Sequence, residues 1–403
     1  MAEYPIILAH NALDHSTISG NETAGHELDR IRDGHRHTWW QSPSTAMQEI
    51  LVRAKSLISN WDFESGLQDW FLYTDGSEGS VSQNTTNPLS GNADCKLEAT
   101  TANNDDELVI FLNWKALLFR AGRTYRMMFR ARAESENKTL RAGFYLANYT
   151  ENENFYKDQT ILNQDFGYFV DVTPDADVWV CPYFRMIEAG TIYIDDVIVN
   201  EVRDVDTLII DKGHTLQAAA VALLYRDVEF GNYAWAFGNT RSYSNGPIYI
   251  AFNPIRSLSW KIRIGVLAVN TGVPVAKVPL LYFGERWTMP HNFSGSFDPH
   301  REDRFVDMVS SDRGIAQILH KYNQRVFAGS MSHLGDEDYE NVKKFFEDTD
   351  NGAKPFFFSW KPQTAANDLL LLRLKGARDV PYQSGPLRSW KFDAEEVIGA
   401  RVT

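Results

Sequence analysis

Much of the chain alternates between apolar and polar positions with a period of two, in short runs closed by Gly, Pro, Asn and Asp. That period sends successive side chains to opposite faces, so each run predicts a strand with one buried and one wet side. The run TYRMMFRARAE (124–134) is the cleanest case: Tyr125, Met127, Phe129 and Ala131 share one face, and Arg126, Arg130 and Arg132 share the other. GTIYIDDVIVNEV (190–202) predicts a second strand of the same kind. A helical period appears in DEDYENVKKFFEDTD (336–350), where Tyr339, Val342 and Phe346 fall on one face. Asp336 is placed to cap it, Asn351–Gly352 to stop it, and PFFFSW (355–360) to follow as an aromatic strand. The pattern therefore predicts a mainly β protein with one helix.

With 403 residues the chain has room for two to four domains at about 100–200 residues each. Aromatics make up 13% of it, which suits ordered β structure and argues against disorder. Charge then divides it. Residues 60–202 carry 23 acidic and 11 basic side chains, nearly all of the net charge of −13. A balance of this sign repels phosphate backbones, so nucleic acid is excluded as a partner. The longest apolar stretch, LQAAAVALLY (216–225), is far short of the ~20 residues that span a bilayer, and no targeting segment or membrane insertion is expected. Cys95 and Cys181 show no metal-ligand spacing and are expected as buried free thiols, with a pairing between them left open. Five of the ten histidines lie at positions 10, 15, 26, 35 and 37, but no ligand spacing recurs, and His35 and His37 beside Asp33 are expected in a solvated loop.

Pattern shifts near residues 58, 202 and 284 divide the chain. The segment 58–202 opens on ISNWDFESGLQDW, expected as the first strand of a self-contained unit, and continues through PLSGNADCKLEAT (88–100) and FRAGRTYRMMFRARAE (119–134) to IYIDDV (192–197). Taken in order, these pieces resemble jelly-roll carbohydrate-binding modules of the kind appended to glycanases. The resemblance implies a structural Ca²⁺ held by Asp62, Glu64, Asp195 and Asp196, since closing a sandwich on its first and last strands would gather carboxylates that need a cation. Solvated strand-end acids are the alternative. A sugar-binding face needs flat apolar rings with polar groups at the rim, and Trp70, Tyr73, Tyr145, Tyr149, Tyr156, Trp179 and Tyr183 are the candidates. Trp70 and Trp179 could equally fill the core.

Without that insert, residues 1–57 continue into 203–283. Asp33–Gly34 ahead of Thr38–Trp39, the strand end Asp211–Gly213 and the strand Trp260–Ile264 resemble a discoidin-type, galactose-binding-like jelly roll. The insert would then enter at a loop between early strands, where insertions are tolerated best.

Within the last segment, 284–403, residues 304–362 read as strand, strand, helix, strand. With the strand after Gly352, Lys354 and Pro355, and Glu395–Val397 late in the chain, they resemble distal-tail or tail-tip proteins of phages and prophages. The expected architecture is thus two jelly-roll β-sandwiches, one inserted in the other, and a C-terminal α+β domain with a small β-barrel or sheet. The resemblance implies a virion structural protein at the tail tip, made in the host cytoplasm. It would form a ring, expected hexameric, on the tail tube, with hub or fibre proteins alongside. Phe356, Phe358 and Trp360 are candidates for contacts between subunits, with alternating burial expected to make at least half of them core residues instead, and the insert would face host-surface polysaccharide. A glycan-active enzyme and a free carbohydrate-binding adhesion protein are the alternatives. Against an enzyme, about 120 residues remain after the two jelly rolls, where a catalytic barrel needs roughly 250, and no GxSxG, HExxH, Walker or Cys–His constellation is present.

Overall fold

In a computed structural model of the chain, the described residues are 4–397 without 15, 26, 33–37, 45, 74–78, 101–108, 114, 148–149, 151, 213, 217, 227–232, 243–245, 267–275, 294–297, 299–300, 311–315, 363–367, 376–379 and 385–386. The fold is mainly β, built of antiparallel sheets, with one α-helix among the described residues.

In the insert a five-stranded sheet runs Phe166–Val172, Tyr125–Ala133, Gly190–Glu201, Asp94–Ala99, Gly79–Asn84. Facing it is a six-stranded sheet in the order Tyr156–Ile161, Lys138–Leu146, Val178–Met186, Val109–Asn113, Trp70–Tyr73, with Leu117–Phe119 also on Val178–Met186. The alternation explains the core between them. Tyr125, Met127, Phe129, Ala131 and Ala133 enter from the first sheet, and Leu140, Ala142, Phe144, Val180, Phe184 and Met186 from the second. The opening stretch is not a strand, which corrects the expectation for it. Asn60, Phe63 and Asp69 take φ of 47°, 52° and 68°, and the Asn60 amide donates to the carbonyls of Gly66 and Gln68 at 2.9 and 2.8 Å. It is a folded turn that buries Phe63, and the first strand starts at Trp70.

The chain enters and leaves the insert side by side. Leu57 N–H donates to Val199 O at 2.7 Å, and the Asn200 amide donates to Lys55 O at 2.6 Å. Around this point Met128, Ile198, Val202 and Leu258 form an apolar contact with the host sandwich. Arg126 spans the boundary, bidentate to Asp171 and donating to Arg256 O at 3.2 Å.

In the host, Ser259–Val266 pairs with Gln48–Ala54 on one side and Ala218–Arg226 on the other, and packs against a sheet of Ile248–Arg256, Asp204–Ile210 and Leu281–Gly284. Trp40, Ile50, Val52, Leu208, Ile210, Trp260 and Ile262 fill the space between.

The C-terminal part holds one open eight-stranded sheet, Trp287–Thr288, Ile6–Leu8, Phe356–Ser359, Leu370–Leu374, Leu387–Glu396, Ala316–Leu334, Glu302–Ser310, with Tyr382–Ser384 on Leu387–Glu396. No barrel closes among its described residues. Residues 6–8, expected in the host sandwich, pair here with Ser359–Phe357 and Thr288–Trp287. Both faces of the strand Phe356–Ser359 are covered. Phe356 and Phe358 meet one core, Phe357 another, and all three are buried. Their expected role in contacts between subunits is therefore not open to them, and Trp360 is half-buried against the first core. The helix spans Asp336–Asp348 and buries Val342, Phe345 and Phe346. Its cap is Gly335 rather than Asp336: the Asp338 carboxylate reaches back to accept from Gly335 N–H at 3.2 Å.

Candidate functional site

Since Leu140, Ala142 and Phe144 point into the insert's core, Thr139, Arg141, Gly143 and Tyr145 lie on the outer face of the six-stranded sheet. By the same alternation Val180, Phe184 and Met186 leave Trp179, Cys181, Tyr183 and Arg185 on that face. Phe71 joins them between the inward Trp70 and Leu72. The outer face thus carries an aromatic cluster of its own: Tyr145, Cys181 and Tyr183 with Phe71 and Tyr156 packed against them.

The register gives the cluster its shape. Tyr156, Gly143, Tyr183, Leu112 and Phe71 stand opposite one another across five neighbouring strands. Four strand spacings make this row roughly 19 Å long. The Tyr145 and Tyr183 rings meet at 4.1 Å between centroids, inclined by 49°. Beside the row, Arg141 holds the Asp158 carboxylate bidentate at 2.8 and 3.1 Å, and its guanidinium lies 4.0 Å from the centre of the Tyr156 ring. One glycine is required here. A Cβ on Gly143 would lie 2.3 Å from Phe155 O and 2.5 Å from Tyr156 Cα, so any side chain would push the Tyr156–Ile161 strand and its ring away. Burial raises the pKa of the Cys181 thiol, which keeps it a neutral apolar group.

Of the residues singled out from sequence, Tyr145, Tyr156 and Tyr183 are brought together on this side of the sheet, but Tyr183 and Tyr145 are themselves buried, at 0% and 8% exposed, and only Tyr156, with Phe71, is half-buried. Trp179 lies on the same strand face two positions beyond Cys181 and is 54% exposed. Trp70 is elsewhere. It is 5% exposed, stacked on Phe111 at 4.9 Å and Phe184 at 5.9 Å, and donates from Nε1 to Asn60 O at 3.3 Å. It fills the core, which corrects its assignment as a sugar-binding candidate. Tyr149 and the side chain of Tyr73 lie outside the described residues, as do Asp33, His35 and His37. Phe71, Arg141 and Asp158 were missed. A signal existed in TLRAGFYL (139–146), where a glycine interrupts an outward series of Arg and Tyr.

The four candidate carboxylates do not converge. Glu64 accepts from Asn92 N–H at 2.7 Å and Ala93 N–H at 3.3 Å, and these bonds hold its pKa below the ordinary value. Asp195 accepts from Ser90 N–H and Oγ–H at 3.0 Å, gripping the same loop at another point. Asp196 meets Arg53 at 3.2 Å, and Asp62 is half-buried. Burial, then the Asp196 charge, push the Asp195 pKa up to about 8 against the pull of its hydrogen bonds. Among the described residues no group of three or more His, Cys, Asp or Glu is placed to hold a metal ion. The donor set as arranged anchors a loop and is not gathered around a Ca²⁺.

No family model matches the chain, and no curated protein does. Among solved structures it is similar to a CBM4 carbohydrate-binding module at 20% identity over 36% of this chain and 99% of that one, with a TM-score of 0.31. It is similar also to the enzymatically active domain of tailspike protein 4 of bacteriophage CBA120, at 17% identity over 36% of this chain and 21% of that one, TM-score 0.28. A tandem CBM22 domain of Paenibacillus barcinonensis Xyn10C matches at 11% identity over 57% and 98%, TM-score 0.28. At TM-scores this low none of these likenesses bears on what the chain does.

Proposed function

We propose that this chain is a structural protein of a phage tail tip whose inserted sandwich binds host-surface polysaccharide through the outer face of its six-stranded sheet. The observation that carries the binding role is the aromatic row from Tyr156 to Phe71, a second cluster outside the sandwich core. The exposed Trp179 and the half-buried Tyr156 and Phe71 offer flat rings to the CH faces of a pyranose over a base of buried Tyr145 and Tyr183, and the Arg141–Asp158 pair beside them supplies donors and acceptors for hydroxyls. The insert docks on the host through its other sheet, by way of Met128 and Ile198, which leaves this face turned away from the host.

The tail role has its own support. The first half of the strand Ala316–Leu334 pairs only with Glu302–Ser310 among the described residues, while its second half joins the sheet at Leu387–Glu396. A two-stranded ribbon running past its sheet is marginal alone and gains from a neighbouring subunit. A ring would multiply a weak glycan site into avidity, which suits reversible first contact with a cell. Affinity electrophoresis of the purified full chain in bacterial surface polysaccharides, paired with electron microscopy for rings, tests both halves. No retardation in any polysaccharide removes the binding role, and monomers alone at high concentration remove the ring.

A further inference from the structure

We infer that the last turn of the helix Asp336–Asp348 is a charged latch that grips the exit of the insert and ties the insert to the C-terminal sheet. The hub is Arg203, which follows the exit strand Gly190–Glu201 within two residues. Its Nη1 donates to both oxygens of Asp348 at 2.9 and 2.8 Å, and its Nε donates to Glu201 at 2.6 Å. Glu201 accepts in turn from Arg123 of the insert at 3.0 Å, and Arg123 reaches across to Glu347 on the helix. His10, from the chain's first segment, closes the far side at 3.7 Å from Asp348. Signs alternate along this line, and its centre is buried: the side chains of Arg203 and Asp348 are 13% and 12% exposed.

Two features separate a latch from ordinary packing. First, the helix ends on Glu347 and Asp348 with no basic residue in its last turn, so two carboxylates sit at the negative pole of the helix dipole. The compensating charges come from Arg123 of the insert, from Arg203 just past its exit and from His10, so removing the insert would take part of this compensation away. Second, cavities of about 270 Å³ flank the Arg203–Asp348 pair on both sides. Contact here is made by charge pairs, and the first of these cavities also reaches Ala54, Val202 and Leu258, where the insert meets the host sandwich. Burial raises the Asp348 pKa, but its bond to His10 and the charge of Arg203 outweigh this and leave it below the ordinary value, so the latch is charged at neutral pH.

This inference goes beyond glycan binding, and its test uses no sugar. Hydrogen exchange by mass spectrometry on the full chain would compare the wild type with Arg203→Gln, Asp348→Asn and the double variant. Spin labels at the exposed positions Asp175 and Glu340 would report the distance between insert and helix. We expect Arg203→Gln to speed exchange in 345–351 at least tenfold, with 336–341 and the insert core unchanged, and to broaden the distance distribution. The double variant should exchange more slowly than the two single effects combined, because it removes the carboxylate left buried without its partner. Arg123→Gln serves as a second variant if Arg203→Gln does not fold. Wild-type exchange and an unchanged distance in the folded variant, or strict additivity in the double, would overturn the latch.

Discussion

Trp70 and Trp179 lie on two strands of one sheet and should respond to mutation in opposite ways. Trp70 is 5% exposed, with ring centroids of Phe111, Phe63 and Phe184 at 4.9, 5.5 and 5.9 Å. A tryptophan buries about 150–250 Å², which at about 25 cal/mol per Å² is roughly 4–6 kcal/mol of transfer free energy. The strand Trp70–Tyr73 is at the sheet edge, where neighbours can close in on a cavity. The cost of Trp70→Ala is therefore about 4 kcal/mol, inside the range of about 3–5 kcal/mol for large aromatic truncations. Trp179→Ala, at a site 54% exposed, should change stability by less than about 0.5 kcal/mol. Native-state hydrogen exchange reads this locally in a multidomain chain. Slow amides of 109–113 and 178–186 should lose roughly a thousandfold in protection in the first variant and stay unchanged in the second. If Trp70→Ala kept protection within a factor of five and instead lost polysaccharide binding, the assignment of that ring to the core would be wrong.

Two further predictions concern the insert. Gly143→Ala, whose Cβ would press on Phe155 O and Tyr156 Cα, should displace the Tyr156–Ile161 strand and speed exchange of its amides, while the Tyr125–Ala133 strand stays protected. Asp195 has a folded-state pKa raised from 3.8 to about 8, so the stability tied to its proton is fully present below about pH 3.8 and is lost as pH rises through about 8. The slope is about 1.4 kcal/mol per pH unit for one proton, and Asp195→Asn should remove it. Unfolding free energies of the insert at pH 5, 6, 7 and 8 check this, and parallel profiles for the two proteins would refute it.

In Tyr125–Ala133 the core face was legible because alternation survives there, although its other face is not wet: Arg126 and Met128 are buried at the boundary with the host sandwich and only Arg130 and Arg132 are half-buried. Tyr125, Met127, Phe129 and Ala131 are core as the period requires. Where a strand is covered on both faces the period carries no such information. Phe356, Phe357 and Phe358 are all buried, so reading every second ring as exposed could not succeed. Nor can a period show pairing at long range, and Ile6–Leu8 finds its partner at Phe357–Ser359, some three hundred and fifty residues on. The segment after Ile58 looked like a strand because it is aromatic. Its left-handed Asn60 and Phe63 make it a turn, and only Asn60 and Gly66 hint at that in sequence. At the candidate site three of the seven aromatics are gathered in one cluster. Trp70 was ambiguous because a tryptophan in a strand pattern fits a core and a sugar face equally well.

The claim that the outer face of the insert is a glycan surface is tested most directly by titrating the full chain with the polysaccharide that retards it, in wild-type form and as Tyr156→Ala. Tyr156 is half-buried, packs on Arg141 and contributes nothing to the main core of the insert. The expected result is at least a tenfold loss of affinity with the hydrogen-exchange protection of the Tyr125–Ala133 strand unchanged. Wild-type affinity in Tyr156→Ala, with its fold intact, would contradict the account.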